Sequence, residues 1–253
     1  VILHSQALGE GPPVALLHGL FGRGQNLATL ARRLSVRHRV ITLDMRNHGA
    51  SPHAPDMRYE TMAEDVRETL ATLGAWPASV LGHSMGGKAA MMLALLHPDG
   101  VGKLIVADIA PVRYEHRNRA VTDAMQSIAL APGLTRAAAD HALATAVPQP
   151  AVRGFLLQNL VFSESPYWRI GLDDIADSLE YIEGFPQSAT GLTYAGPAWF
   201  ILGGNSDFVN PDHHGMIYRL FPNSQIMTIE QAGHWLHADQ PEAFAAAVEQ
   251  ALL

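Results

Sequence analysis

A serine hydroxyl is a weak nucleophile at neutral pH, and the segment Gly82-His83-Ser84-Met85-Gly86-Gly87 has the composition that makes one reactive. An apolar, strand-like run from Ser79 to Gly82 leads into Ser84, and an apolar stretch from Met85 to Leu96 of helical length follows. The GxSxG spacing suits a tight strand-to-helix turn that tolerates only small flanking residues and lifts the hydroxyl above the sheet edge. The helix would aim its first N–H groups and its positive dipole end at the same point. The serine then needs a base. His234, in Gly233-His234-Trp235 beyond the run Ile226 to Ile229, stands in the loop after the last strand, where that base belongs. His237 is a rival that lies further into the exit loop.

The histidine in turn needs a carboxylate to hold its tautomer, and two are available. Asp207 follows the run Trp199 to Leu202, the usual place for the acid in a Ser, Asp, His chain order. Asp108 ends the run Leu104 to Ala107, from which it could reach the histidine across a neighbouring strand. Spacing does not separate the two. Negative charge developing on a carbonyl oxygen requires two N–H donors. One is expected from Met85. The other is expected from the glycine-rich loop His18-Gly19-Leu20-Phe21-Gly22, with Leu20 the first choice and Phe21 the second.

The elements needed to position these groups are legible as alternating short apolar runs and helical stripes, a pattern that places helices on both faces of a mostly parallel sheet. Val14 to Leu17 and Val40 to Leu43 read as strands flanking a stripe at Leu27, Leu30, Ala31 and Leu34. Met62, Val66, Leu70 and Leu73 form the next stripe, and a helix near His213 to Leu220 and another from Pro241 close the chain. The α/β core is expected over 1–110 and 196–253, with an inserted helical cap over 111–195. Candidate cap helices are Glu115 to Leu130, Leu134 to Val147, Ala151 to Phe162 and Asp173 to Ile182, separated by Pro132, Gly133, Pro148, Pro150 and Pro166. Phe155, Phe162, Trp168 and Trp235 are candidate substrate-binding residues, with Tyr167 and Phe185 as further cap aromatics. Arg113, Arg117 and Arg119 open the cap and could meet phosphate groups.

Composition narrows the chemistry. With 17 Lys+Arg against 24 Asp+Glu, a net charge of −7 argues against a nucleic-acid binder. The absence of cysteine removes thiol nucleophiles, zinc thiolates and disulfides. The adjacent His213-His214 pair is expected to face solvent rather than hold a metal. No run approaches ~18 apolar residues, so no membrane span is expected, and a cytoplasmic monomer or weak homodimer is the expectation. The dense polar cluster Asp44-Met45-Arg46-Asn47-His48-Gly49-Ala50-Ser51 reads as a structural loop near the site.

These residues resemble the α/β-hydrolase superfamily, and within it the YbfF-like esterase and thioesterase group with its abhydrolase-domain relatives. The matching blocks are HGLFG at His18 to Gly22, DMRNHGASPH at Asp44 to His53, GHSMGGKAAM at Gly82 to Met91, DIAPV at Asp108 to Val112, GGNS at Gly203 to Ser206 and AGHWLHADQP at Ala232 to Pro241. The resemblance implies a cofactor-free serine hydrolase with an α/β-hydrolase fold and a cap. Its substrate would be a small-molecule acyl ester, with acyl-CoA thioesters in range. It favours Asp108 as the acid, because the slot of Asp207 is often not acidic in that group. Carbon–carbon bond hydrolysis, perhydrolysis and a non-catalytic receptor are the other uses of such a fold, whereas relatives with dehalogenase or epoxide hydrolase chemistry carry aspartate where Ser84 stands.

Overall fold

The computed structural model describes residues 1–253 except 116 and 117. Nine strands are described: β1 Ser5–Leu8, β2 Pro13–Leu17, β3 Arg39–Leu43, β4 Ala78–His83, β5 Val101–Ala107, β6 Leu160–Val161, β7 Tyr167–Trp168, β8 Ala198–Gly203 and β9 Ser224–Ile229. The helices, in chain order, are α1 Ala28–Leu34, α2 Tyr59–Thr72, α3 Met85–Leu96, α4 Arg119–Gln126, α5 Arg136–Leu143, α6 Pro150–Leu156, α7 Leu172–Asp177, α8 Leu179–Glu183, α9 Pro211–Leu220, α10 Leu236–Asp239 and α11 Pro241–Leu252. The main sheet has seven strands in the order β1-β3-β2-β4-β5-β8-β9, with β1 antiparallel to β3 and the other neighbours parallel.

Strand side chains alternate between two cores, as a period of two requires. Val14, Leu16, Val40, Leu81, Ile105 and Ile201 pack with α1 and α11 on one face. Ala15, Leu17, Ile41, Val80, Leu104, Val106 and Phe200 pack with α2, α3 and α9 on the other. Because both faces are covered, the parallel strands are nearly continuous apolar runs, which is why they could be located from the sequence. Helix α3 is buried from Met85 to Leu95. From β2 the chain first crosses to β3 and then returns to the other side of β2 with β4. The loops after β2 and β4 therefore open a crevice at the carboxyl ends of the strands, the switch point where such sheets bind ligands.

Several expectations need correction. The edge strand β1 was not foreseen, because SQAL is half polar and lies in an exposed edge position. Among the described residues the stretch between Asp108 and Pro197 contains no strand of the main sheet, but it does contain the short ribbon of β6 and β7. The helix expected through Phe162 stops at Leu156 and passes through a 3-10 turn at Leu157–Asn159 into β6. The expected helix from Asp173 to Ile182 is broken at Ser178, whose hydroxyl donates to the Pro55 carbonyl at 3.2 Å. The first cap helix covers only Arg119–Gln126; part of its expected start lies outside the described residues. Buried residues of this stretch such as Met125, Leu143, Leu156 and Ile175 join the same apolar cluster as α2 and α3.

The loop from Asp44 to Ser51 is a buried polar joint beside this crevice. The Arg46 guanidinium grips Asp65 of α2 through two bonds, Nε to Oδ2 at 2.6 Å and Nη2 to Oδ1 at 2.8 Å. The carbonyl of Arg46 accepts from His48 Nδ1 at 2.8 Å, and His18 Nδ1 donates to the Gly19 carbonyl at 2.8 Å. The free nitrogen of His18 accepts from the Met45 amide at 2.9 Å. Both rings are consequently neutral, with the proton on Nδ1. Burial pushes His18 down to about 4 and His48 down to about 3, the latter helped by the neighbouring His18.

Two outcomes follow. Asp65→Ala strands a buried guanidinium and is expected to cost about 3–5 kcal/mol in urea denaturation; a loss under ~1 kcal/mol would show that the pair is dispensable. His18 and His48 bind a proton below about pH 6.5 only when unfolded, so the unfolded state holds more protons between there and about pH 4. Stability is therefore full above that window and declines as pH falls through it. An unfolding free energy that stayed level from pH 6.5 to 4.5 would contradict the buried neutral rings.

Candidate active site

Ser84 sits between β4 and α3 at φ 53° and ψ −119°, a strained conformation for a residue with a side chain. Its amide donates to the Ala107 carbonyl of β5 at 3.1 Å, which ties the turn to the neighbouring strand. The flanking glycines are required by contact. A Cβ on Gly82 would stand 2.1 Å from the Gly86 carbonyl oxygen, and one on Gly86 would stand 2.5 Å from the backbone oxygens of Leu17 and His18.

Ser84, His234 and Asp108 lie in one hydrogen-bonded line. His234 Nε2 is 3.0 Å from Ser84 Oγ, and His234 Nδ1 is 2.8 Å from Asp108 Oδ2. With a carboxylate on Nδ1 the ring proton lies there, leaving the Nε2 lone pair directed at the serine hydroxyl. Asp108 is fully buried and accepts two further bonds, from the Gly203 amide at 3.0 Å and from the Ser206 hydroxyl. Like Ser84, it holds a positive φ, 51°, at the end of its strand. Asp207 is exposed on the loop after β8, and the position facing Nδ1 belongs to Asp108. The His234 ring stacks on Phe208 at a centroid distance of 3.6 Å and an interplanar angle of 11°. Its carbonyl accepts from His83 Nε2 at 2.7 Å. Burial, reinforced by His234 and His237, keeps the His83 imidazole well below its usual range, so it is a neutral strut. His237 is also held down to about 4, by burial first, and makes no contact in the Ser84–His234–Asp108 line.

Two backbone amides near Ser84 are candidates to meet a substrate oxygen. Met85 opens α3, so its amide has no acceptor within the helix. The Leu20 amide makes no hydrogen bond to the described residues. Phe21, the second choice from the sequence, is removed from that role because its amide is given to His48 Nε2 at 3.0 Å.

These groups open into a cavity of about 250 Å³. Its walls are largely apolar, with Leu20, Val121, Val152, Phe155, Ile182 and Trp235 prominent. Lys88 also lines it, one helical turn beyond Ser84. Burial brings its ammonium down to about 7, and its Nζ donates to the carbonyls of Glu183 and Gly184 while facing the Tyr114 ring at 4.8 Å. Of the cap aromatics expected here, only Phe155 reaches the cavity. Phe162 packs on the core, and Trp168 lines a separate hollow with His53 and Leu172. Phe185 lines another hollow and Tyr167 is exposed. Arg113 and Arg119 are exposed and face Glu180 and Asp123 at 3.9 and 4.0 Å; Arg117 lies outside the described residues. His213 and His214 are half-buried rather than solvent-facing, and His213 helps cap α9. Among the described residues no group of three or more His, Cys, Asp or Glu stands placed to hold a metal ion. Ser206, Phe208 and His83 were missed from the sequence. Only the position of Ser206 within the GGNS block and that of His83 beside the serine carried any signal.

Comparison with known proteins places the chain in a family. A family model described as the alpha/beta hydrolase fold matches residues 12–241. The chain is 44% identical to the mouse (Mus musculus) sn-1-specific diacylglycerol lipase ABHD11 over 246 residues, covering 94% of this chain and 80% of that protein. It is 37% identical to esterase YbfF of Escherichia coli, covering 95% and 92% respectively. A solved marine microorganism esterase superposes with a TM-score of 0.94 at 36% identity, covering 98% of both chains. Among the described residues no helix is long and apolar enough to cross a membrane. With sequence similarity along almost its whole length and the same overall fold, the chain belongs to the α/β-hydrolase family, as a carboxylic ester hydrolase of its esterase and lipase branch.

Proposed function

We propose that the chain hydrolyses carboxylic esters through a Ser84–His234–Asp108 triad and an acyl-enzyme, with residues 111–195 acting as a cap over the acyl cavity. The observation that carries this reading is the continuous line from Asp108 Oδ2 through His234 to Ser84 Oγ, at 2.8 and 3.0 Å. His234 Nε2 takes the Ser84 proton as Oγ bonds to the acyl carbon. The carbonyl oxygen becomes negative, and the Leu20 and Met85 amides stabilise it. Collapse of that intermediate breaks the bond to the leaving group, which receives the proton from His234. Water then gives a proton to the same nitrogen, attacks the acyl-enzyme and releases the acid while Ser84 regains its hydrogen. Asp108 holds the ring, steadied by Gly203 and Ser206.

The apolar walls suit a hydrocarbon acyl chain, and the modest volume favours short to medium chains over long ones. Thioesters, including acyl-CoAs, fall within the same chemistry, because the thiolate is a better leaving group than an alkoxide.

Hydrolysis of p-nitrophenyl esters and acyl-CoAs of graded chain length tests the substrate class. Turnover of at least one series is expected to vanish in Ser84→Ala along with fluorophosphonate labelling; turnover that survived this substitution would sink the serine mechanism. Kinetics of the two aspartates test the acid. Asp108→Asn is expected to lower kcat by roughly 10⁴, as for the equivalent change in a serine protease, and Asp207→Asn to change it by less than about threefold. Comparable losses in both would refute a single acid.

A further inference from the structure

Phe21, next to the Leu20 amide, is held through both of the peptides it joins. Its N–H donates to His48 Nε2 at 3.0 Å, and its carbonyl accepts from Asn159 Nδ2 at 2.7 Å. Phe21 itself lies at φ 61°, a conformation unfavourable for a side-chain-bearing residue, so the loop needs outside support to keep this shape. The two supports come from different parts of the chain. His48 belongs to the polar joint anchored by Arg46 and Asp65, whereas Asn159 is a buried residue of the segment over the cavity, 3% exposed. The same segment touches the joint again where the Gly171 amide donates to the Asn47 carbonyl at 2.9 Å.

We infer that Asn159 is a positioning residue for the oxyanion loop, and that it couples the seat of the cap to catalytic competence. The inference rests on the proposed role of the Leu20 amide. The Leu20 N–H shares its peptide plane with the Gly19 carbonyl, which accepts from the Gly22 amide at 2.9 Å, and that amide lies in the same peptide as the Phe21 carbonyl held by Asn159. Releasing the carbonyl of Phe21 lets that turn relax toward ordinary backbone angles and swings the Leu20 N–H away from the developing oxyanion. Asn159 touches no substrate in this scheme. Its contribution appears in the transition state and not in substrate binding, because the amide it orients meets negative charge that exists only there. A cap displaced from the core would leave the triad intact but the oxyanion site unassembled.

The test uses the full chain and p-nitrophenyl butyrate, with a trifluoromethyl ketone as a probe that forms a tetrahedral adduct on serine. Asn159→Asp keeps the side-chain shape but sets a carboxylate oxygen against the Phe21 carbonyl. The expected result is a kcat lower by about 10- to 100-fold, short of the ~10²–10³ for outright loss of a donor. Ketone affinity should weaken in parallel while KM stays within about threefold. Unchanged kcat and ketone affinity, or a rise in KM alone, would overturn the inference. Should Asn159→Asp fail to fold, His48→Gln, which retains an acceptor for the Phe21 amide, is expected to keep more activity than His48→Phe; equal activities would overturn the inference from that side. A parent enzyme that neither turns over esters nor captures the ketone would instead refute the proposed function on which the inference rests.

Discussion

The backbone of Ser84 cannot relax without taking the site apart, and most of the surrounding architecture can be understood as what holds it. A side-chain-bearing residue at φ 53° carries a conformational cost of order 1–3 kcal/mol, which the neighbouring contacts must offset. Four of them do so: the bond from its amide to Ala107 of β5, the buried helix α3 beginning at the next residue, and the absence of a Cβ at Gly82 and at Gly86. The last two let β4, α3 and the end of β2 approach more closely than other residues could. The turn thus depends on three adjacent strands, and any change that spreads them would move the hydroxyl.

Asp108 shows the same logic one strand over. It too ends its strand at a positive φ, and its two oxygens collect the Gly203 amide, the Ser206 hydroxyl and the His234 ring. A fully buried carboxylate is costly unless its lone pairs are met. Here β8 and the loop after it supply donors, and the loop after β9 supplies the imidazole, so three parallel strands converge on one carboxylate. His18, His48 and His83 are buried rings, and His237 a half-buried one, all held below their usual range. Their neutrality keeps extra positive charge from the neighbourhood of a base that must itself become cationic during the proposed reaction.

The polar joint explains how the segment over the cavity and the catalytic end of the sheet share one geometry. Arg46 and Asp65 fix the joint to α2, His48 passes that rigidity to the glycine-rich loop, and Asn47 and Asn159 extend it to the segment above. Lys88 makes a comparable tie on the opposite side of the cavity, through the carbonyls of Glu183 and Gly184. The cavity is therefore bounded by groups that answer to two separate hydrogen-bonded anchors.

What the sequence determined by itself was local and periodic. Parallel strands buried on both faces are uninterrupted apolar runs, so β2 to β5 and β8 were visible, as were the apolar half of the edge strand β9, α3 and the small-residue turn around Ser84. His234 could be placed because its loop follows the last strand. The edge strand β1 was not visible, since it is half polar and takes its hydrogen bonds from the distant β3, and the two-residue strands of the β6–β7 ribbon are too short for a period to emerge. Tertiary structure alone decided between Asp108 and Asp207 at the histidine, between Leu20 and Phe21 for the free amide, and between Phe155 and Trp168 for the cavity wall. Each of those choices turns on the direction of a bond vector a few ångströms from a residue more than twenty-five positions away in the chain. Such a direction is set by packing across strands and loops, which residue type and spacing do not encode.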